Sequence, residues 1–141
     1  MRTEKNLKGF LDKEYYMKRF EETIQNKEQL LIQVPKELRG FGKTTILNEM
    51  STIAQTVFGL EVIVITPYVN QEHIGSEMWT VLDAFSKHKI IDWMQRRTNI
   101  LIVVDDLNLE DDDSSRIIHD IICSKIPMIG FVFDILGELN I

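Results

Sequence analysis

The stretch from Leu30 to Asn48, LLIQVPKELRGFGKTTILN, combines an apolar run, a short glycine-containing loop and a helical pattern. A buried strand that enters a helix through a loop ending in Gly-Lys-Thr is typical of a phosphate-binding loop. The first backbone N–H groups of a helix have no partner within the helix, so they can donate hydrogen bonds to an anion. The stretch therefore predicts a phosphate site between a strand and a helix.

The end of this loop supplies the candidate nucleotide-binding residues, which are Gly40, Phe41, Gly42, Lys43, Thr44 and Thr45. The two glycines let the backbone approach a phosphate closely. We expect Lys43 to reach the β- and γ-phosphates, and the Thr44 hydroxyl to bind a bridging Mg²⁺. We also expect the site to face solvent. Glu37 stands where the usual pattern has its first glycine, so a plain structural turn before a helix is the alternative.

A second motif is the segment 99–106, NILIVVDD, in which an apolar strand leads into Asp105 and Asp106. The carboxyl ends of parallel strands form the edge where α/β folds bind ligands. Following a phosphate loop, such a pair places one carboxylate near Mg²⁺ and the other near the attacking water. The alternative is a buried strand that simply ends in two acidic residues.

The remaining pattern predicts an α/β domain with mostly buried strands. Tyr16, Phe20 and Ile24 share a helix face, and either Tyr15 or Tyr16 is a candidate to stack on a base, although packing against the sheet is the favoured interpretation. Acidic residues at 111–113 open a further helix as capping groups. The expected helices are 12–26, one after the loop, one or two within 72–97, and one after residue 111; the expected strands are 30–34, 61–66, 99–106 and 127–134.

Composition limits the class of protein. The 141 residues are 44% hydrophobic, which suits one domain, 1–141, with an N-terminal helical segment at 1–28 and a nucleotide-binding core at 29–141. The 16 basic residues against 22 acidic ones give a net charge of −6, which does not favour nucleic-acid binding by the protein as a whole.

The single cysteine, Cys123, is expected to be a small buried residue in a reducing compartment. No apolar run approaches the ~20 residues of a membrane span, so we expect a soluble intracellular protein with no membrane partner.

Three histidines, His73, His88 and His119, are far apart and lack the spacing of metal ligands, so we expect them at the surface or behind the site.

Together the two motifs resemble the additional-strand class of P-loop NTPases, which contains helicases, AAA-type ATPases and viral DNA-packaging motors. Within it they are most similar to the ATPase domain of phage terminase large subunits. Arg39 stands four residues before Lys43, as an arginine does in the degenerate loops of terminases, and VIVITPY at 62–68 resembles the strand that follows the loop helix there.

The resemblance implies a three-layer α/β P-loop NTPase fold, with a mostly parallel central sheet and the strand 128–133 inserted between the loop strand and the carboxylate strand. It implies ATP and Mg²⁺ as cofactors and ATP hydrolysis as the activity. Lys43 and Thr44 would contact phosphate and metal, Asp105 would bind Mg²⁺, Arg39 would act as a sensor or charge stabiliser, and Asp106 would take the place of the usual catalytic glutamate.

The same resemblance makes double-stranded DNA and packaging or replication proteins candidate partners, with a homo-oligomer as a candidate assembly, in the cytoplasm of the cell or of a viral host. Two other functions stay open from the residues. Glu37 and Asp106 both permit a nucleotide-binding module that does not hydrolyse, and the acidic segment 111–113 permits a protein-interaction domain with a basic partner.

Overall fold

The computed structural model describes residues 2–6, 11–35, 42–67, 77–80 and 99–133. Within these residues six strands form one sheet, and three helices pack on it. In chain order the elements are β1 (Arg2–Lys5), α1 (Lys13–Gln25), β2 (Gln29–Gln33), α2 (Lys43–Thr56), β3 (Glu61–Thr66), β4 (Glu77–Thr80), β5 (Ile100–Asn108), α3 (Asp112–Ser124) and β6 (Met128–Phe133).

The strand order of the sheet is β1-β2-β6-β5-β3-β4, and every neighbouring pair is parallel. Strand β6 therefore lies between β2, which precedes the glycine loop, and β5, which carries the two aspartates. The prediction that residues 128–133 form an inserted strand is confirmed. Because all six strands run the same way, their carboxyl ends meet at one edge of the sheet.

Helices α1 and α2 cover one face of the sheet. The Asp12 side chain caps α1 by accepting a hydrogen bond from the Tyr15 backbone N–H, and Tyr16, Phe20 and Ile24 of α1 are buried against the strands. The buried residues of α2 on the same face are Ile46, Leu47, Met50 and Ala54. The periodic apolar positions thus form the helix faces that the sequence predicts.

Tyr16 is a core aromatic residue, as the favoured interpretation has it. Its ring meets the Phe131 ring edge to face, with 5.5 Å between centroids, and its hydroxyl accepts a hydrogen bond of 2.8 Å from Asn6 Nδ2. Burial raises the pKa of Tyr16 above its ordinary value of 10.0. Tyr15 is half exposed instead, and its hydroxyl contacts the Glu4 carboxylate.

Helix α3 covers the opposite face and completes a three-layer arrangement. Asp111 is its N-cap, accepting a hydrogen bond from the Ser114 backbone N–H, so capping accounts for an acid at this helix start. Its buried side chains, Ile117, Ile118 and Ile121, pack on residues of β3, β5 and β6. The α/β prediction with a parallel sheet is confirmed for the described residues.

Several predictions of local structure are wrong. Residues 77–80 form the edge strand β4 and not a helix, because pairing with β3 outweighs the helical spacing of a few apolar residues; the other residues of 72–97 lie outside the described ranges. The segment 1–28 is not purely helical, since Arg2–Lys5 adds a strand beside β2. Cys123 is exposed on α3, where its Sγ lies 3.9 Å from the His119 ring nitrogens.

None of the helices in the described part of the chain has both the length and the apolar character that a membrane crossing needs.

Candidate functional site

The candidate site lies where α2 begins, against the carboxyl-terminal part of β5 and the end of β6. Lys43 and Thr44 are the first two residues of α2. Asp105 and Asp106 come from β5, and Phe133 is the last residue of β6. The prediction that the loop helix and the two aspartates meet at one edge of the sheet is therefore confirmed.

Thr44 and Asp105 are in direct contact. The Thr44 hydroxyl donates a hydrogen bond of 2.8 Å to Asp105 Oδ2, across 61 residues of sequence. Asp105 is 2% exposed, so the sheet and the helix fix the position of its carboxylate. A threonine hydroxyl beside a carboxylate is an oxygen donor pair of the kind that Mg²⁺ prefers.

Lys43 is paired with the second aspartate. Its Nζ lies 2.7 Å from Asp106 Oδ1 and 5.8 Å from the centroid of the Phe133 ring. The Lys43 side chain is 3% exposed and that of Asp106 is 15% exposed. A buried ammonium needs such an anion because it has lost its hydration. The expectation that the site faces solvent is wrong for Lys43. The Phe133 ring, from a distant part of the sequence, lies beside this ammonium.

A β-bulge brings both aspartates to the same helix. The register between β5 and β6 shifts at Asp106, which has a left-handed backbone with φ of 65°. In a regular strand consecutive side chains point to opposite faces, so only one of the two carboxylates could reach α2. The extra residue at Asp106 shifts this alternation by one position. Asp105 pairs with Phe131 on the face of the sheet that α2 covers, and Leu107 packs in the hydrophobic core on the face that α3 covers. The sequence predicts that β5 ends at Asp106, whereas it continues to Asn108.

Two glycines adjust the backbone around the site. Gly42, the N-cap of α2, has a φ of 97°, a left-handed conformation that other residues rarely adopt. Gly130 of β6 lies opposite Val104 of β5, where a Cβ atom would lie only 2.2 Å from the Val104 carbonyl oxygen. Because Gly130 has no side chain, β6 can approach β5 closely at Val104, the residue before Asp105.

One buried polar residue near the site was missed. Thr66 ends β3 and is 1% exposed. Since Ile65 pairs with Val104, the next position along both strands places Thr66 beside Asp105 on the α2 face. A threonine at the carboxyl end of an otherwise apolar strand is the signal that could have identified it.

Of the other candidate residues named from the sequence, some lie in the described part of the chain and some lie outside it. Thr45 is exposed on the first turn of α2. The rest of the loop, with Arg39, Gly40 and Phe41, lies outside the described residues, and so do His73 and His88. His119 is exposed on α3, as expected of a surface residue.

Comparison of the chain with protein-family models, with curated proteins and with solved structures gave no match. The site must therefore be interpreted from its own geometry. That geometry is a cation and a hydroxyl at a helix N-terminus, each held by one of two adjacent carboxylates.

The oxygen atoms of Thr44 and Asp105 fit a Mg²⁺ ion whose other ligands would be phosphate and water oxygens. Such sites use one or two carboxylates and a hydroxyl, and do not need a cage of protein ligands. Thr44 and Asp105 supply these oxygens. Among the described residues there is no group of three or more His, Cys, Asp or Glu side chains that could hold a metal without such help.

Proposed function

We propose that this protein binds ATP with Mg²⁺ and hydrolyses it, as a minimal ATPase domain. The observation that carries the proposal is the hydrogen bond between Thr44 and Asp105. The residue types expected on the metal come from two motifs 61 residues apart, and the fold brings them into contact. A strand end that merely stops in two acids gives no reason for either carboxylate to contact the loop helix.

The chain's own groups have distinct roles in this proposal. Gly42 and the first N–H groups of α2 face the anion position under the favourable end of the helix dipole. Lys43 would neutralise phosphate charge, and Thr44 with Asp105 would hold Mg²⁺, which would supply further charge neutralisation at the phosphates. Asp106 is the carboxylate that would orient a water molecule once its contact with Lys43 is broken, a role that typically contributes ~10²–10⁴-fold.

Turnover and binding measurements test the proposal together. We expect wild-type protein to bind ATP in a Mg²⁺-dependent way by calorimetry and to release phosphate slowly, because aspartate reaches less far than glutamate. Thr44→Val should remove most of the Mg²⁺ dependence. Thr52→Val is the matched control, since Thr52 is exposed later on the same helix and its hydroxyl donates a hydrogen bond to the Asn48 carbonyl of that helix.

If wild-type protein binds no nucleotide, or if the two valine variants behave alike, the proposal is wrong. Adding double-stranded DNA to the turnover assay tests the further proposal that hydrolysis is coupled to work on DNA.

A second candidate function is a nucleotide-binding module that does not hydrolyse. The contact between Lys43 and Asp106 favours it, because this carboxylate is engaged by the lysine and not held toward a water position. Nucleotide binding without phosphate release under any condition, with or without DNA, would select this candidate.

A further inference from the structure

Lys43 and Asp106 form a contact that a bound phosphate would have to replace. The Lys43 side chain is 3% exposed, and the Asp106 carboxylate 2.7 Å from its ammonium is the anion that neutralises it. Phe133 lies over the same ammonium at 5.8 Å. A phosphate that approaches this cation therefore meets an internal carboxylate first.

The backbone of Asp106 keeps the carboxylate in this position. The β-bulge, with φ of 65° at Asp106, turns the side chain toward α2, where regular strand alternation would send it to the opposite face. Aspartate is among the few residues besides glycine that tolerate a left-handed backbone. The bulge is therefore needed for the contact between Asp106 and Lys43 and not for the contact of Asp105, because ordinary strand alternation already places Asp105 on the α2 face.

We propose that Asp106 is an internal competitor for Lys43, and that a phosphate bound at Lys43 releases this carboxylate. The inference rests on the proposed function and adds a regulation of the same site. In the unliganded protein, Asp106 lowers the affinity for nucleotide, because binding requires the form in which the contact is broken. Once phosphate holds Lys43, the Asp106 carboxylate no longer contacts this ammonium and can orient water, so hydrolysis follows occupation of the site.

Competition predicts opposite effects on stability and on binding. Removing the Asp106 charge leaves Lys43 buried without its anion, so the unliganded protein should unfold at lower urea. The same change removes the competitor, so nucleotide affinity should rise by about tenfold or more. If Asp106 had only a structural role, replacing it would lower both the stability of the unliganded protein and its affinity for nucleotide.

Calorimetry with a non-hydrolysable ATP analogue and Mg²⁺ tests the proposal, since it separates affinity from turnover. The variants are Asp106→Asn, which keeps the size, and Asp106→Gly, which suits the left-handed backbone if the first variant folds poorly. Glu110→Gln is the matched control, because Glu110 is exposed two residues beyond β5 and its loss changes the net charge equally. We expect both Asp106 variants to bind about tenfold more tightly than wild type, with the control unchanged.

The outcomes separate this inference from the proposed function. If wild type binds the analogue and both Asp106 variants bind it equally or more weakly, competition is wrong and nucleotide binding stands. If Glu110→Gln tightens binding as much, net charge is the cause and competition is again wrong. If neither wild type nor any variant binds, the proposed function fails and the inference with it. If only the Asp106 variants bind the analogue, competition is supported, and the proposal that the wild-type protein itself binds ATP is wrong.

Discussion

Gly130 lies where β5 leaves no room for a side chain on β6, so Gly130→Ala should be strongly destabilising. The added Cβ would lie 2.2 Å from the Val104 carbonyl oxygen and 2.8 Å from the Val104 Cβ, whereas real Cβ atoms essentially never come closer than 3.0 Å to such neighbours. The carbonyl belongs to the backbone of a central strand, so relief requires β5 and β6 to separate.

The size of the loss follows from what that separation breaks. Overpacking of a core costs about 1–3 kcal/mol, and each weakened interstrand hydrogen bond adds about 1 kcal/mol. We therefore expect Gly130→Ala to lower the free energy of unfolding by about 2–4 kcal/mol, measured by urea denaturation followed by circular dichroism.

Gly59→Ala is the control for this measurement. Gly59 has a φ of 65°, yet nothing lies within 4 Å of the position of its Cβ, so the substitution adds backbone strain without a collision. Strain of that kind costs roughly 1–2 kcal/mol. If Gly130→Ala destabilises no more than Gly59→Ala, the close approach of β5 and β6 does not govern the stability of the sheet.

Two further predictions concern buried ionisable groups. Lys43→Met should change stability by less than about 1 kcal/mol, since Asp106 keeps access to water, whereas Asp106→Asn should cost about 3 kcal/mol by leaving Lys43 buried and unpaired; equal losses in urea denaturation would refute this. For Tyr16, the raised pKa means that the folded state favours the neutral phenol, so its contribution is fully present below pH 10 and is lost as pH rises through the folded-state pKa. Wild-type stability should therefore fall more between pH 9 and pH 11 than that of Tyr16→Phe, and identical profiles would contradict the assignment.

The sequence predicts best where burial is continuous. The apolar runs of β2, β3 and β6 and the i, i+4 stripes of α1, α2 and α3 are long enough for their period to identify the element. Their order along the chain, with acids and a glycine loop at the strand ends, was enough to predict that Lys43, Thr44, Asp105 and Asp106 share one edge. All four lie there.

The sequence predicts poorly where a neighbouring strand decides the conformation. Arg2–Lys5 is short and polar, and becomes a strand because β2 offers its edge. Glu77–Thr80 carries one buried side chain, Trp79, which is too little to show a period of two. The bulge at Asp106 depends on the register with β6, and Lys43 contacts Asp106 and lies beside Phe133. These are contacts between distant segments, which no local window of sequence contains.

The position of β6 has a consequence for how the chain acquires its fold. This strand is the last of the six in chain order, yet it separates β2 from β5 near the middle of the sheet. During synthesis, β2 can pair with β1, and β5 with β3, but these two parts of the sheet cannot join until residues 128–133 have left the ribosome. Parallel pairings between such distant segments close slowly, because the loop entropy is lost before the contacts form. Phe133, which lies beside the Lys43 ammonium, belongs to this last strand, so the anion site is assembled late.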